Sequence, residues 1–489
     1  MKSVVESLDV CVARMAGEAG YPGVEAAPYG PTVGYPEFEG KGVEAAEGGE
    51  NRVFPLVREA LRGLGLDAGR FGSAEWNPLG ALVRAGGTVL VKPNWVLHKN
   101  LGGGGMDCMV THPSVLRAVL EYVFLARPGR VVLGDAPLQG CDFAALMGWG
   151  GLGEVVEVFR KRGLPLEVAD FRRTVSDATS GLQHVRENVR EEGRYVTVDV
   201  GEDSFLEGIS GDWKRFRVTV YDPRWMGRHH RPGKHEYFLA REAFEADLVV
   251  NCPKLKTHKK AGMTCCLKNL IGINGNKEYL PHHRKGAAGR GDSHPVASPL
   301  LWGLETAMDV LNRMRGWPRT YALGERVVYG VLGRLGGRSR VGDLEGNWKG
   351  NDTIWRTCLD LNRALLYGDA EGRLHGAPQR ETVSIVDAVV AGEGDGPLSP
   401  SPLNTGAVLA ARNPGVGDWL AARVLGLDPR KIPLVAHAAD AVKRPVCRAG
   451  EGEVESAVRA ALAGKGEFPG ARVAPGWEGI EEGGVRSEE

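Results

Sequence analysis

The sequence predicts an α/β protein with two lobes built on parallel or mixed sheets around a cleft, and with an antiparallel insertion. Three observations lead there. Short runs rich in Val, Ile and Leu recur at residues 88–91, 131–133, 166–168, 248–250, 383–386 and 408–411, each bounded by turn formers. Strands buried on both faces read in this continuous way. Helix-period patterns at 113–125, 153–162, 300–314 and 416–425 separate several of these runs, as expected for a sheet covered by helices. Two further runs, 195–200 and 216–221, alternate polar with apolar residues, the pattern of antiparallel strands with one wet face.

The chain begins with residues 1–50, an arm rich in Pro and Gly from Tyr21-Pro22-Gly23 to Tyr35-Pro36-Glu37, expected to wrap the surface or stay loose. Its first twenty residues carry Glu6, Asp9 and Glu18, with neither the basic start nor the apolar core of a secretory leader. A helix is expected at 53–64, where Val53, Leu56, Val57, Ala60, Leu61 and Leu64 share one face. Residues 51–450 make the α/β region, with a loop-rich Arg/Gly excursion at 316–350. Residues 451–489 form an acidic tail expected to fray from Gly476 onward. No run of about 18 apolar residues occurs, so no membrane contact is expected and the cytoplasm is the expected location.

Charge and cysteine usage exclude several classes. Sixty-one Lys and Arg offset 61 Asp and Glu, so the whole chain is no polycation and nucleic acid is not expected as its partner. The eight cysteines are scattered and form no C-x-x-C pair. That spacing excludes a four-cysteine zinc or iron–sulfur cradle, and the length argues against a disulfide scaffold. Most should be small buried apolar residues.

Chemistry concentrates at 251–285. Seven of the chain's 18 lysines fall there, and from 251 to 290 nine Lys and Arg meet one acid, Glu278. Lysine is a compact point charge whose pKa falls on burial, so it can hold phosphate or carboxylate or act as a base. The interleaved Leu255, Met263, Cys265, Cys266, Leu267 and Leu270 argue that part of the stretch is buried. It also directly follows a strand, and ligands of open α/β sheets gather beyond the carboxyl ends of strands. A solvated basic face is the plainer alternative.

Other strand ends carry polar groups. Lys92-Pro93-Asn94 closes one run; Gly102–Gly105 and Thr111-His112-Pro113-Ser114 follow, with His112 or Thr111 capping the next helix. The spacing matches neither a P-loop nor a dinucleotide fingerprint. Asp135 ends a second run, and Glu393 and Asp395 lie in Glu393-Gly394-Asp395-Gly396-Pro397, where they could hold a metal or simply form a turn. His229, His230 and His235, then His282 and His283, lack zinc spacing and read as solvated loop histidines. Asn351 or Asp352 caps a helix whose Arg356, Asp360 and Arg363 form one polar stripe, which a surface ion-pair row explains as well as a site does.

Taken together, these segments resemble the uncharacterised family called domain of unknown function 362, in a long-chain branch without a ferredoxin module. The matching pieces run from Val89-Leu90-Val91-Lys92-Pro93-Asn94 through Thr111-His112-Pro113, Gly134-Asp135-Ala136-Pro137 and Val250-Asn251-Cys252-Pro253-Lys254-Leu255-Lys256-Thr257-His258. They continue with Leu267-Lys268-Asn269-Leu270-Ile271-Gly272 and Ala391-Gly392-Glu393-Gly394-Asp395-Gly396-Pro397. Members often carry iron–sulfur clusters, but this chain lacks the clustered cysteines, so no cluster is expected within it. The resemblance implies no settled activity.

The leading functional reading is an enzyme acting on a small carboxylated or phosphorylated substrate. Lys92, Asn94, Lys254, Lys268 and Asn269 would hold the anion, and His258, Lys256 and His112 would transfer protons. Asp135, Glu393 and Asp395 would orient these groups or hold a divalent cation. One alternative is a polyanion binder using 251–290 with Arg224, Arg228 and Arg231; another is a redox accessory that borrows a cluster from a partner. The sequence leaves cofactor, metal and oligomeric state open.

Overall fold

In a computed structural model of the protein, one nine-stranded sheet runs through the chain. The structure describes all residues except 1, 44, 46–49, 178–183, 189, 219–220, 315–319, 321, 325, 329, 331–343 and 483–489. The sheet order is Val10–Arg14, Ser399–Ala411, Glu381–Asp395, Leu248–Cys252, Thr88–Pro93, Arg130–Asp135 and Leu166–Asp170. The last five of these pair in parallel, and the first two join them antiparallel. Lys254–His258 also runs parallel to Glu381–Asp395 and forms a hairpin with Gly262–Thr264.

This is the mixed α/β fold read from the sequence. The continuous apolar runs become strands buried on both faces, except 166–168, which falls in the half-exposed edge strand Leu166–Asp170. Val89, Val91, Val131 and Leu133 face one core with helices Val53–Gly63, Pro113–Leu125 and Leu152–Lys161. Leu90, Val132 and Val249 point the other way, into a cluster with the insertion and helix Ile354–Tyr367. Val386, Ala388 and Leu409 join a third cluster against helix Pro414–Val424. Cys266 and Leu267 belong to that third cluster, whereas Leu270 and Ile273 belong to the second. The short helix Cys266–Asn269 therefore lies at the seam between the two.

The antiparallel insertion is present, with Tyr195–Asp199 paired to Lys234–Ala240. In the second alternating run, Phe216–Arg217 is a strand paired with His283–Arg284, and residues 219–220 lie outside the described residues. The N-terminal arm is part of the core. Tyr29 and Phe38 are buried in it, and Glu37 accepts from Arg58 Nε at 2.6 Å and from Tyr122 Oη at 2.9 Å. Residues 476–482 pack against the body rather than fraying, and 483–489 lie outside the described residues. Trp477 and Ile480 are buried, and the Trp477 indole donates to the Lys259 carbonyl. Much of the 316–350 excursion lies outside the described residues. No helix among the described residues is long and apolar enough to cross a membrane.

Candidate functional site

Parallel pairing puts the carboxyl ends of Thr88–Pro93, Arg130–Asp135 and Leu248–Cys252 on one edge of the sheet, with Asn251 opposite Lys92. Lys92 extends from the first of these ends into the interior. Its ammonium meets Asp135 Oδ1 at 2.8 Å and donates to the Pro93 carbonyl at 2.7 Å and to Asn269 Oδ1 at 3.1 Å. Asp135 also accepts from the backbone N–H groups of Trp95 at 2.6 Å and Ala136 at 2.8 Å. Burial pushes the Lys92 pKa down and the Asp135 pKa up, while each partner's charge opposes the shift. Gly272 lies directly on this pair. A Cβ there would sit 1.8 Å from Asp135 Oδ1, so only glycine fits.

Asn269 ties the strand ends together. It donates to Asn251 Oδ1 at 2.8 Å and accepts from Asn94 Nδ2 at 2.8 Å. Asn94 in turn accepts from Lys256 Nζ at 2.7 Å. The chain Lys92–Asn269–Asn94–Lys256 is one hydrogen-bonded network spanning three segments remote in sequence.

Lys254 and His112 form a second, neutralised group. Lys254 Nζ pairs with Asp387 Oδ2 at 2.6 Å and donates to the Tyr21 hydroxyl, which donates to Asp387 Oδ1 at 2.6 Å. His112 stacks on Tyr21 with ring centroids 3.9 Å apart, and its backbone N–H donates to Asp387 at 2.8 Å. Its Nδ1 accepts from Ser114 N at 3.1 Å, making His112 the cap of helix Pro113–Leu125. Burial and the Lys254 charge hold its pKa well below the usual histidine range.

Among the described residues, Lys256, Lys268 and Lys277 form no ion pair; Asp135 opposes the shifts of Lys256 and Lys277 but is already bonded to Lys92. Lys256 donates to Asn94 and to the Met109 carbonyl, both neutral acceptors. Among the described residues, neither Lys268 nor Lys277 places its ammonium in an ion pair or hydrogen bond. Burial, reinforced by Lys254 and Lys268, pushes the Lys256 pKa well down. Burial brings Lys268 to about 8 and Lys277 to about 8. His258 and His282 are held well below their ordinary range by burial, with Lys268 and Lys260 adding repulsion to both. His258 Nδ1 accepts from Lys260 N at 3.0 Å, which assigns the proton of the neutral ring to Nε2. Asn94, Lys268 and His282 retain partial exposure, so they form the solvent edge of this cationic group.

Glu393 and Asp395 point elsewhere. Glu393 accepts from Arg472 N at 2.8 Å, and Asp395 pairs with Lys259. The residue facing Lys256 across the strands is Gly392, whose Cβ would lie 2.7 Å from the lysine's own Cβ. The glycines at 102 and 104 close against Ser399 and Pro400.

Two histidine expectations are corrected. His230 and His235 are fully buried, because the hairpin pairs them and turns both inward. His230 Nε2 bonds with the Tyr279 carbonyl at 3.0 Å, and His235 Nε2 with Glu207 at 3.0 Å. His283 is buried as well. Asp360 and Arg363 are likewise interior, not a surface row. Asp360 accepts from Phe205 N at 2.9 Å and Tyr237 Oη at 3.0 Å. Sequence reading missed Tyr21, Asp387 and Lys277; the Lys254–Asp387 register that assembles the Lys254 and His112 group has no local signal.

The family described as Domain of unknown function (DUF362) matches residues 204–423, a span containing Lys254 through Lys277 but not Lys92, His112 or Asp135. A thylakoid-associated protein of Synechocystis sp. is 24% identical over 358 residues, covering 73% of this chain and 69% of that protein. A crystal structure of a Thermotoga maritima protein is similar over 78% of this chain at 12% identity and a TM-score of 0.32, and this chain spans 59% of that one. In its motifs and in these matches, the chain resembles the DUF362 family.

Proposed function

We propose that this protein is a cytoplasmic enzyme that binds a small carboxylated or phosphorylated anion at the Lys256, Lys268 and Lys277 group, with His258 and His282 beside it. One observation supports this above the rest: Lys256 and Lys277, both buried, and the half-buried Lys268 gather without an ion pair, and the carboxylate that acts on Lys256 and Lys277, Asp135, is already bonded to Lys92. An isolated buried ammonium is costly, and such a group either loses its proton or takes an anionic partner. Lys92 and Lys254 differ, since Asp135 and Asp387 already neutralise them. They hold the walls, and Asn94 and Asn269 set the spacing. A neutral Lys256 amine would accept a proton from the bound molecule, and His258 Nε2–H would donate one. Burial favours a small ligand over a polyanion, whose phosphates need exposed cations.

The test is thermal unfolding with inorganic phosphate, oxalate or chloride. A ligand at 100 times its Kd stabilises the folded state by about 2.7 kcal/mol, or roughly 3 °C for a cooperative unit of this length. Phosphate or oxalate should raise Tm and chloride should not; Lys256→Met with His258→Ala should abolish the response. Lys268→Met should leave the unliganded protein about as stable as before, because its half-buried ammonium has no ion-pair partner to lose. A Tm indifferent to both anions, or a response surviving in the double variant, rejects the reading.

A further inference from the structure

On the other side of the short helix Cys266–Asn269, its first residue meets a carboxylate that the anion site does not use. We propose that Cys265, Cys266 and Asp418 form a buried site for a thiophilic divalent cation of the zinc class.

The three side chains converge. One ligand atom from each lies within 4.8 Å of the others, and all three residues are buried. The two sulfurs are 3.7 Å apart. Two thiolates on one tetrahedral zinc, with Zn–S near 2.3 Å, are separated by about 3.8 Å. Adjacent residues seldom aim both side chains at one point. Here the backbone of Cys265 is extended, at φ −152° and ψ −141°, and Cys266 begins the helix, so the chain turns between them.

Asp418 approaches from helix Pro414–Val424. Its Oδ2 accepts from the Leu267 N–H at 3.3 Å, whereas its fully buried Oδ1 has no hydrogen-bond partner of good geometry. A buried carboxylate oxygen facing two thiols is a donor atom in want of a partner. Gly417 permits the approach: a Cβ there would lie 2.9 Å from the Cys266 sulfur and 3.0 Å from the Ala411 methyl group. The set is two sulfurs and one oxygen, which suits zinc, cadmium or cobalt and not magnesium or calcium. Each thiol gives its proton to solvent as the metal–sulfur bond forms, and no electron is transferred. Three protein ligands leave a fourth position for water or another donor. The competing arrangement is metal-free, with the two S–H groups donating weakly to Asp418.

Full-length protein, produced with and without zinc and handled under reductant, separates the two. Zinc-grown protein should retain about one zinc per chain after desalting, and cobalt introduced in its place should give a thiolate-to-metal charge-transfer band. Cys266→Ser should lose that band and Cys358→Ser should keep it. Asp418→Asn should weaken binding by at least the roughly tenfold that loss of even an outer partner costs. Because Cys266→Ser could fail to fold, the wild type supplies an independent readout. Native mass spectrometry of the wild type, before and after chelation, should show about one zinc per chain lost on chelation. Retention of no metal, a band that survives Cys266→Ser, or a Cys265–Cys266 disulfide in freshly reduced protein would each overturn the site. The anion-binding response is read separately, so either idea can fail alone.

Discussion

Lys92 and Asp135 show how a single pair anchors this edge of the sheet. Both are buried, and Asp135 holds two backbone N–H groups besides the ammonium. Removing one partner leaves the other charge unpaired in the interior, which costs about 3–5 kcal/mol; removing both with apolar replacements costs much less. Asp135→Asn should therefore lower unfolding stability in urea by that amount, and adding Lys92→Met should restore part of it. Equal losses for the single and double variants would mean that the two charges do not interact. Gly272→Ala tests the same contact sterically. Its Cβ would fall 1.8 Å from Asp135 Oδ1 and 2.6 Å from Lys92 Nζ, so the pair must separate and a comparable loss is expected. A tolerated alanine would show that the pair is free to move aside.

Helix Ile354–Tyr367 illustrates what an element inherits from its cap. Asn351 Oδ1 accepts from Thr353 N and Ile354 N, both at 3.0 Å, while its Nδ2 donates to the His282 carbonyl at 2.9 Å. One side chain thus starts the helix and fixes the backbone of a histidine at the cationic group. Asn351→Ala should cost about 1–2 kcal/mol in chemical denaturation. Asp352→Ala should cost less, since its partners Arg356 and Arg284 are partly solvated. The reverse ranking would show that Asp352 is the cap. Asn351 and Asp352 were equal candidates in the sequence, because both residue types cap helices and only geometry separates them. Strand cores were legible because their continuous Val, Ile and Leu runs mark strands buried on both faces. Strand ends were legible only in part: Lys92 and Asp135 close their runs in the sequence, but nothing local shows that their side chains pair with each other. Lys254, Lys256 and Lys268 stood out by composition, whereas Tyr21 and Asp387, 366 positions apart, meet only through tertiary folding. The interior fate of His230 and His235 was hidden as well, because a two-residue pairing leaves no pattern to read.

Across the whole molecule, a neutral sequence conceals an uneven interior, since Lys256, Lys268 and Lys277 gather without an ion pair among the described residues, beside the seam between two apolar clusters. Lys277 gives this a pH signature. In the folded protein, burial brings its pKa to about 8, whereas an unfolded lysine titrates near 10.4. Between those values the unfolded chain binds more protons, so this group's contribution to stability rises with pH, by about 1 kcal/mol from pH 7.5 to 9.0. Buried thiols act oppositely. Burial raises Cys252, Cys265 and Cys266 above their ordinary pKa, so the unfolded state sheds their protons first and stability falls as pH climbs. Subtracting a Lys277→Met variant cancels the thiols. The variant should be the more stable protein at pH 7.5, and its advantage should shrink by about 1 kcal/mol at pH 9.0, measured by urea unfolding at both. Saturating phosphate should hold the ammonium charged and reverse the order at pH 7.5. A gap independent of pH would mean that Lys277 keeps an ordinary lysine pKa, and with it that water, not an anion, solvates this corner of the protein.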